Sequence, residues 1–504
     1  MRTATAALDT GFTVSRRYFD SVVGFLDGEA AAGLRHAQLE EHLAEVGREL
    51  IRLLQQDHTN LRAVREQRLD EVAEVDGTVH TRVEHGHTRT LATIFGQIDV
   101  PRMAYRAPWC TNLYPADAVW NLPDEKYSFG LRKLAAVEAG RGSFEQAVAA
   151  VQRATGLRLG NRQVSELAAR AAADVDQFYL TRDLPEEAGA DVLALSFDGK
   201  GIVVRPDALR PATAKAATSA KLSTRLSKGE KRNRKRMAEV GAVYQVIPAP
   251  RTAADIIALA TAVPGDADGA AAKAAGPKTV GKWLTASVTD TTARVVTSVF
   301  DEAGRRDPDH ARTWIALVDG NNHQIDQIKA HARARKITVT IIIDFIHVLE
   351  YIWKAAWCFH TEGDPKAEQW VADKALEILS GNAGLVAAAI RRTATRRALT
   401  DEQRRNADTT ADYLHNKKKH LDYPTALAAG WPIATGVIEG ACRHLVKDRM
   451  DVTGARWGLH GAEAILKLRA LTSNGDFNAY WTYHQQQEQL RVHNNRYWNN
   501  DLPT

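Results

Sequence analysis

Three acidic residues give the sequence its clearest chemical pattern. Asp198 follows an apolar run at residues 192–197, Asp319 follows one at 314–318, and Glu439 opens a later helical segment. Because neighbouring strands of one sheet bring their ends together, we expect both aspartates to reach a common ion, with the glutamate completing the cradle. Carboxylate oxygens suit Mg²⁺, or Mn²⁺ as a substitute, and two such ions about 3.5–4 Å apart support an in-line phosphoryl displacement.

Each of these residues also has an ordinary structural explanation. An Asp-Gly pair is common in turns, and Glu439 could simply be a favourable charge in the first turn of a helix. Asp344 ends a further apolar run, residues 337–343, and competes with Asp319 for the second position. We choose Asp319, because the fourth strand is the usual donor in the topology inferred below, and keep Asp344 as an auxiliary or alternative metal ligand. His347 is interpreted as a structural histidine near a helix start.

The elements that must position these residues form an α/β pattern. Five apolar runs predict strands at residues 192–197, 202–204, 238–247, 314–318 and 337–343. Residues 289–303 predict a helix, and residues 248–278, rich in Ala, Gly and Pro, a mobile connection. The predicted elements follow the order of a ribonuclease-H-like core with a mixed five-stranded sheet. That order is three strands, then helix, strand, helix and strand, and then a final helix. The long helical stretch before the last helix predicts an all-helical insertion.

The region before this core is expected to be mainly helical, with a small β unit. Residues 34–69 have helical apolar spacing, and residues 88–106 alternate as a hairpin would. Residues 143–171 predict two short helices around a tight turn, which fits a DNA-binding helix-turn-helix and fits equally an αα-hairpin that only packs. The candidate DNA-contacting residues here are Arg158, Arg162 and Gln163.

These patterns divide the chain into five segments. They are an N-terminal helical segment (1–82), a DNA-end-binding region with the β unit and helix-turn-helix-like hairpin (83–182), the first part of the catalytic core (183–354), the helical insertion (355–430), and the Glu439-bearing part of the core with a C-terminal tail (431–504).

Positive charge is concentrated in one segment of the core. Residues 210–236 hold ten Lys and Arg against one Glu, a density that predicts phosphate contact by a loop that orders on binding. Arg443 and Lys447 follow Glu439 at four-residue intervals, so the three should share a helical face. A solvent-exposed ladder of ion pairs explains that spacing nearly as well. The predicted DNA-contacting residues of the core are Lys200, Arg225, Lys231, Arg232, Arg234, Lys235, Arg236, Arg443, Lys447 and Arg449.

Composition excludes several other classes of protein. The 504 residues are too many for one core, and a formal net charge of +5 is mild for that length. Three scattered cysteines cannot build a disulfide framework or a four-cysteine zinc site. No apolar run reaches the ~18 residues of a membrane span, and the first residues lack the pattern of a signal peptide. We therefore expect a reduced, cytoplasmic protein that does not bind membranes.

Several longer motifs resemble those of ISKra-type insertion-sequence transposases, and they occur in the same order along the chain. They are SFDGKG at 196–201, RLSKGEKRNRKRM at 225–237, LVDGNNHQ at 317–324, DFIHVLEYIWK at 344–354 and GVIEGACR at 436–443. The resemblance extends over most of the chain, from about residue 88 to 471.

This resemblance implies a DDE transposase that cuts DNA at the terminal inverted repeats of its element and joins the 3′ ends to a target. Asp198, Asp319 and Glu439 match the family's acidic positions, with Asp198 bridging two Mg²⁺ ions. Asp344-Phe-Ile-His347 looks like the Cys/Asp-x-x-His signature that follows the second aspartate in Mutator-like relatives, which favours Asp319 as that aspartate.

The resemblance also implies partners and a location. These are double-stranded DNA, a homodimer or larger synaptic assembly, and a bacterial, nucleoid-associated setting. Two alternatives remain open, a nuclease of the same fold that cuts without joining and a DNA-binding repressor without catalysis. An RNA-guided nuclease is disfavoured because no RNA-recognition module is visible.

Overall fold

The computed structural model describes residues 11–184, 191–218, 234–261, 276–452 and 454–503. Its internal contacts divide the chain into two compact units. The first comprises Met1–Thr181 with Gly475–Thr504, and the second comprises Arg182–Asn474. The predicted division of the chain instead places the last thirty residues in the segment 431–504. No helix among the described residues is both long and apolar enough to cross a bilayer.

The N-terminal part of the first unit combines helices with two small sheets. The helices are α1 Thr13–Leu26, α2 Glu29–Ala32, α3 His36–Arg65, α4 Pro115–Val119, α5 Phe129–Arg141, α6 Phe144–Thr155, α7 Asn161–Ala171 and α8 Val175–Thr181. The strands are β1 Val72–Ala73, β2 Val79–His80, β3 Arg82–Thr93 and β4 Gly96–Arg106, paired antiparallel as β1–β2 and β3–β4. The predicted long helix, the β hairpin and the two short helices around a tight turn are therefore confirmed, and the β hairpin begins earlier than expected.

The second unit is built on a mixed five-stranded sheet, as predicted. Its strands are β5 Val192–Val203, β6 Lys235–Ile247, β7 Lys278–Ser287, β8 Thr313–Val318 and β9 Val339–Ile343. Their order across the sheet is β7-β6-β5-β8-β9. The β5–β6 and β6–β7 pairs are antiparallel, whereas β5–β8 and β8–β9 are parallel. The central strands are buried on both faces, which explains their nearly continuous apolar sequences.

One predicted strand was wrong, and one observed strand was not predicted. The run at 202–204 is not a separate second strand, because it continues β5, which stays paired with β6 through Val203 and Lys235. The third strand of the sheet in chain order is β7, which the sequence analysis missed. Its sequence begins within the stretch interpreted as a mobile connection, which also contains a helix, Ala253–Thr261.

Helices surround this sheet and supply the insertion. They are α9 Pro211–Ala217, α10 Ala253–Thr261, α11 Thr292–Arg306, α12 Asn322–Ala334, α13 Phe345–Ala356, α14 Pro365–Leu379, α15 Ala383–Arg396, α16 Asp401–Lys417, α17 Tyr423–Ala428, α18 Gly436–Ala441, α19 Asp448–Met450 and α20 Leu459–Asn474. Between α18 and α19 the chain forms a π-helical segment, Cys442–Lys447. Helix α21, Phe477–Val492, belongs to the first unit. The predicted all-helical character of 355–430 is confirmed.

The packing of α11 on the sheet illustrates how tightly the core is built. The Thr291 hydroxyl caps this helix by accepting the Arg294 N–H, and its apolar side chains recur at helical spacing toward the sheet. A Cβ atom on Gly241 of β6 would lie 2.4 Å from Cγ2 of Val299. Glycine at this position therefore lets the helix approach the strand.

Candidate functional site

The register of the parallel strands places three aspartates at one level of the sheet. Ser196 pairs with Leu317, and Leu317 pairs with Ile342. Continuing each strand by two residues leads to Asp198, Asp319 and Asp344. Adjacent strands are about 4.8 Å apart, so these aspartates occupy neighbouring positions on the three adjacent strands β5, β8 and β9 or directly after them. Asp319 and Asp344 directly follow their strands, as predicted.

Asp198 does not follow its strand as predicted, because it lies inside β5, opposite Val240 of β6. Its Oδ1 accepts the Gly199 N–H at 2.6 Å, and its Oδ2 accepts the Cys442 thiol at 3.2 Å. Burial, together with the nearby Asp198 charge, raises the pKa of the Cys442 thiol, so the thiol stays protonated and donates. This contact joins β5 to the segment that follows Glu439.

Glu439 lies in α18, with its side chain largely exposed. Partial burial raises the pKa of Glu439, and the negative charges of Asp344, Asp198 and Glu350 raise it further. Three other carboxylates therefore lie close enough to act on Glu439, and one of them, Glu350, was not among the predicted site residues. Such a concentration of negative charge favours binding of a cation.

The turn that carries Asp319 is held by the helical insertion. Asp319 Oδ1 accepts the Asn321 N–H at 2.8 Å, and its main-chain oxygen accepts the Tyr413 hydroxyl at 3.2 Å. Gly320 has φ +96°, and a Cβ atom there would lie 2.7 Å from Tyr413 Oη. The Tyr413 ring stacks on Tyr351 with ring centroids 4.0 Å apart. Only glycine fits this position without strain.

Asp344 is buried and connects β9 to the start of α18. Its Oδ1 accepts the Ile346 N–H at 2.9 Å, and its Oδ2 accepts the hydroxyl of Thr435, the residue that precedes α18. Burial raises the pKa of Asp344, although these hydrogen bonds oppose the rise. Both carboxylate oxygens thus have protein donors, an arrangement that suits positioning of the Glu439-bearing helix.

A further acidic residue, Glu239, was missed by the sequence analysis. It lies in β6 opposite Gly199, and a Cβ atom on that glycine would be 3.5 Å from Glu239 Oε2. Burial raises the pKa of Glu239, and the Asp198 charge contributes to the rise. Only the β5–β6 register brings Glu239 close to Asp198, so no local sequence signal could have identified Glu239.

The acidic side chains offer the type of ligand atom that a hard divalent cation prefers. Asp198, Asp319, Asp344 and Glu439 offer only carboxylate oxygens, the ligands that Mg²⁺ prefers, and Glu439 has a pKa raised by its neighbours. Within the described part of the chain, however, these oxygens do not form a set of three that lie within 4.8 Å of one another.

The basic residues of the second unit differ in how freely they could contact DNA. Arg225, Lys231 and Arg232 lie outside the described residues. Lys200 is partly buried in β5, and Lys235 Nζ lies 3.5 Å from Asp451 Oδ1.

Arg234 and Arg236 are also partly buried. The Arg236 guanidinium donates to the main-chain oxygens of Val288, at 2.7 Å, and Ala208, at 3.1 Å. This side chain is therefore engaged within the fold.

The residues of the predicted common face, Glu439, Arg443 and Lys447, span α18 and the π-helical segment that follows it. A π-helical turn takes more residues than an α-helical turn, so the α-helical spacing used for the prediction does not apply directly to this segment. Arg443 and Lys447 are nevertheless exposed. Arg449 is buried against the ring of Trp457, 4.7 Å from its centroid, and burial lowers its pKa to about 10.

In the first unit, α6 and α7 enclose the predicted turn. Gly156 ends α6 with φ +74°, and Gly160 is the N-cap residue of α7. Arg162 is 92% exposed and its Nε lies 2.8 Å from Glu166 Oε1, while Gln163 Oε1 accepts the Gly160 N–H at 2.8 Å. Arg158 lies in the turn between the helices.

Comparison with known proteins gives little further information. Neither the protein-family models nor the curated proteins include a match to this chain. Among solved structures, the chain is similar to one in the Drosophila P element transposase strand transfer complex, with 9% sequence identity over 71% of this chain and 80% of that chain. The TM-score is 0.22, which is too low for the match to bear on fold or function.

Proposed function

We propose that this protein is a DNA transposase of the DDE type. On this proposal, its second unit is a ribonuclease-H-like core that cleaves DNA at terminal inverted repeats and transfers the 3′ ends to target DNA. The observation that carries the proposal is the convergence of Asp198, Asp319 and Asp344 at one level of three adjacent strands, with the Glu439-bearing helix attached there through Cys442 and Thr435.

Two further features support this assignment. The strand order β7-β6-β5-β8-β9, antiparallel on one side of β5 and parallel on the other, is the mixed arrangement that a ribonuclease-H-like core requires. The motifs at 196–201, 317–324, 344–354 and 436–443 resemble those of ISKra-type transposases. They contain the candidate metal ligands Asp198, Asp319, Asp344 and Glu439.

In the proposed mechanism, Asp198, Asp319 and Glu439 would hold the metal ions. When bound, two Mg²⁺ ions would activate the attacking oxygen and stabilise the leaving oxygen of an in-line displacement. Asp344 positions the Glu439 helix by accepting the Thr435 hydroxyl. The Cys442 thiol orients Asp198 by donating to its Oδ2.

The proposed partners are the two ends of the element and a target duplex. Arg443 and Lys447, exposed and four and eight residues after Glu439, suit contacts with phosphate, as does the basic segment 219–233 outside the described residues. Arg158 and Arg162 are the candidates for end recognition in the first unit. Since both ends are processed together, we expect a dimer or larger assembly.

Cleavage of DNA carrying the sequences that flank this gene tests the proposal. With Mg²⁺, we expect nicks at the repeat ends and joined products on a denaturing gel. Asp198→Ala, Asp319→Ala and Glu439→Gln should abolish both products. Asp309→Asn is a matched control, because this exposed aspartate precedes the opposite end of β8 and should leave cleavage unchanged.

Other outcomes would redirect the assignment. Cleavage without joined products would favour a nuclease of the same fold. Specific end binding without cleavage, in wild type as in the variants, would favour a repressor. Loss of activity in Asp344→Ala but not in Asp319→Ala would assign the second metal-ligand role to Asp344.

A further inference from the structure

Three side chains of different ligand type meet in the first unit. Glu74, His80 and Cys110 each offer one ligand atom, and the three atoms all lie within 4.8 Å of one another. Glu74 lies in the turn between β1 and β2, His80 ends β2, and Cys110 lies in the turn after β4. We propose that these residues bind one divalent transition-metal ion, with Zn²⁺ as the ion that their chemistry fits best.

The hydrogen bonds of His80 determine which ring nitrogen can bind a metal. The side chain is completely buried, and its Nδ1 lies 3.1 Å from the main-chain oxygen of Tyr105. A carbonyl oxygen only accepts, so Nδ1 carries the proton, and in a neutral ring Nε2 then has a free lone pair. This pattern, with Nδ1–H donated to a carbonyl, is common among metal-binding histidines.

The partner that faces Nε2 is also an acceptor. Nε2 of His80 lies 3.2 Å from Oε2 of Glu74. Two lone pairs at this distance require either a shared proton or a metal ion between them. A buried imidazolium–carboxylate pair is thus the alternative that the metal proposal must exclude.

Cys110 favours the metal ion over this pair. An imidazolium–carboxylate pair needs no third partner, yet the Cys110 sulfur lies within 4.8 Å of both other ligand atoms. Tetrahedral Zn²⁺ with bonds of about 2.0–2.2 Å separates its nitrogen and oxygen ligands by roughly 3.4 Å, close to the distance observed. Thiolate and imidazole ligands favour Zn²⁺ over Mg²⁺, and water can complete the fourth position.

The segments that carry the ligands explain what the ion would do. Strands β1 and β2 have two residues each, too short to be stable as an isolated pair. Glu74 also forms an antiparallel bridge with Tyr497, whose side chain is part of the same small core as Tyr105. An ion at this point would cross-link the β1–β2 turn to the segment after β4. The role is structural and does not depend on the proposed catalytic function.

Cobalt substitution of the full-length protein tests the site. After the protein is stripped with a chelator, Co²⁺ is titrated in excess Mg²⁺, which occupies any site built from carboxylates alone. We expect one equivalent of Co²⁺ to produce visible bands of tetrahedral geometry and a near-ultraviolet thiolate charge-transfer band. Cys110→Ser should abolish the charge-transfer band, and Glu74→Gln should weaken binding by about tenfold or more.

Two cysteine controls locate the signal. Cys358→Ser and Cys442→Ser should keep the band, since these cysteines lie in the second unit. Cys442 is the more stringent control, because its thiol contacts Asp198. A charge-transfer band that persists in Cys110→Ser, or its absence from the wild-type protein, would overturn the proposal and leave His80 and Glu74 as an ion pair. Cys110 is only partly buried, so its substitution should not prevent folding.

Discussion

The Asp319 turn permits a quantitative test of how the insertion shapes the site. In Gly320→Ala, the new Cβ would meet the Tyr413 hydroxyl at 2.7 Å, and the backbone would keep a φ of +96° that alanine rarely adopts. The backbone strain costs about 1–3 kcal/mol. Displacing a packed ring adds about 1–3 kcal/mol. We therefore expect Gly320→Ala to lower the free energy of unfolding by about 2–6 kcal/mol.

A double-mutant cycle with Tyr413→Phe separates these two terms. Tyr413→Phe alone removes the hydroxyl that donates to the Asp319 main-chain oxygen, at a cost of about 1 kcal/mol. It also removes the atom that clashes with the new Cβ. The double variant should therefore be at least as stable as Gly320→Ala, with a coupling energy of about 1–3 kcal/mol between the two positions.

Denaturant titration followed by the fluorescence of buried Trp314 measures these free energies, although ten other tryptophans contribute to the signal. Replacing exposed Trp109 and Trp498 would reduce that background. If the two substitutions add within about 0.5 kcal/mol, the close approach of Tyr413 to Gly320 is not real, and the reasoning fails.

Three further outcomes follow from contacts in the second unit. Cys442→Ala should slow DNA cleavage by about tenfold while Cys442→Ser stays near wild type, because only serine can still donate to Asp198; equal rates would contradict this role. In Glu350→Gln, the acidic limb of the cleavage pH profile should move to lower pH, because the Glu350 charge helps to raise the pKa of Glu439. An acidic limb that does not move would exclude Glu439 as the titrating group. Burial opposes ionisation of Asp307, but hydrogen bonds from Trp314 and from the main chain lower its pKa below the usual 3.8. The carboxylate therefore stabilises the fold fully above pH 3.8, and this stabilisation is lost as the pH falls through the lowered pKa. Asp307→Asn should therefore cost about 1–3 kcal/mol at pH 7 and much less in strong acid, as measured by unfolding at each pH.

The sheet could be predicted largely because its central strands are buried on both faces. Apolar runs at β8 and β9 identify those strands directly, and the positions of Asp319 and Asp344 follow from where the runs end. β7 lacked this signal, since it begins with alternating polar residues and includes Gly281 and Lys282. Within β5, the glycines on either side of Lys200 indicated a turn, but pairing with β6 keeps the strand extended.

The contacts that connect the acidic residues could not be predicted from local sequence. The Asp198–Cys442 hydrogen bond joins residues 244 apart, and the Thr435–Asp344 bond joins residues 91 apart. The two donors, Thr435 and Cys442, carry no charge and do not belong to a recognised metal-ligand spacing. The π-helical segment likewise has no sequence signature, so it could not be predicted.

The long separation between Asp198 and Cys442 has a consequence for synthesis of the chain. At about 5–20 residues per second, the 244 residues between them take roughly 12–50 s to translate. During that interval the nascent chain carries the first aspartate without the helix that holds Glu439. The acidic site therefore cannot be completed until almost the whole second unit has left the ribosome.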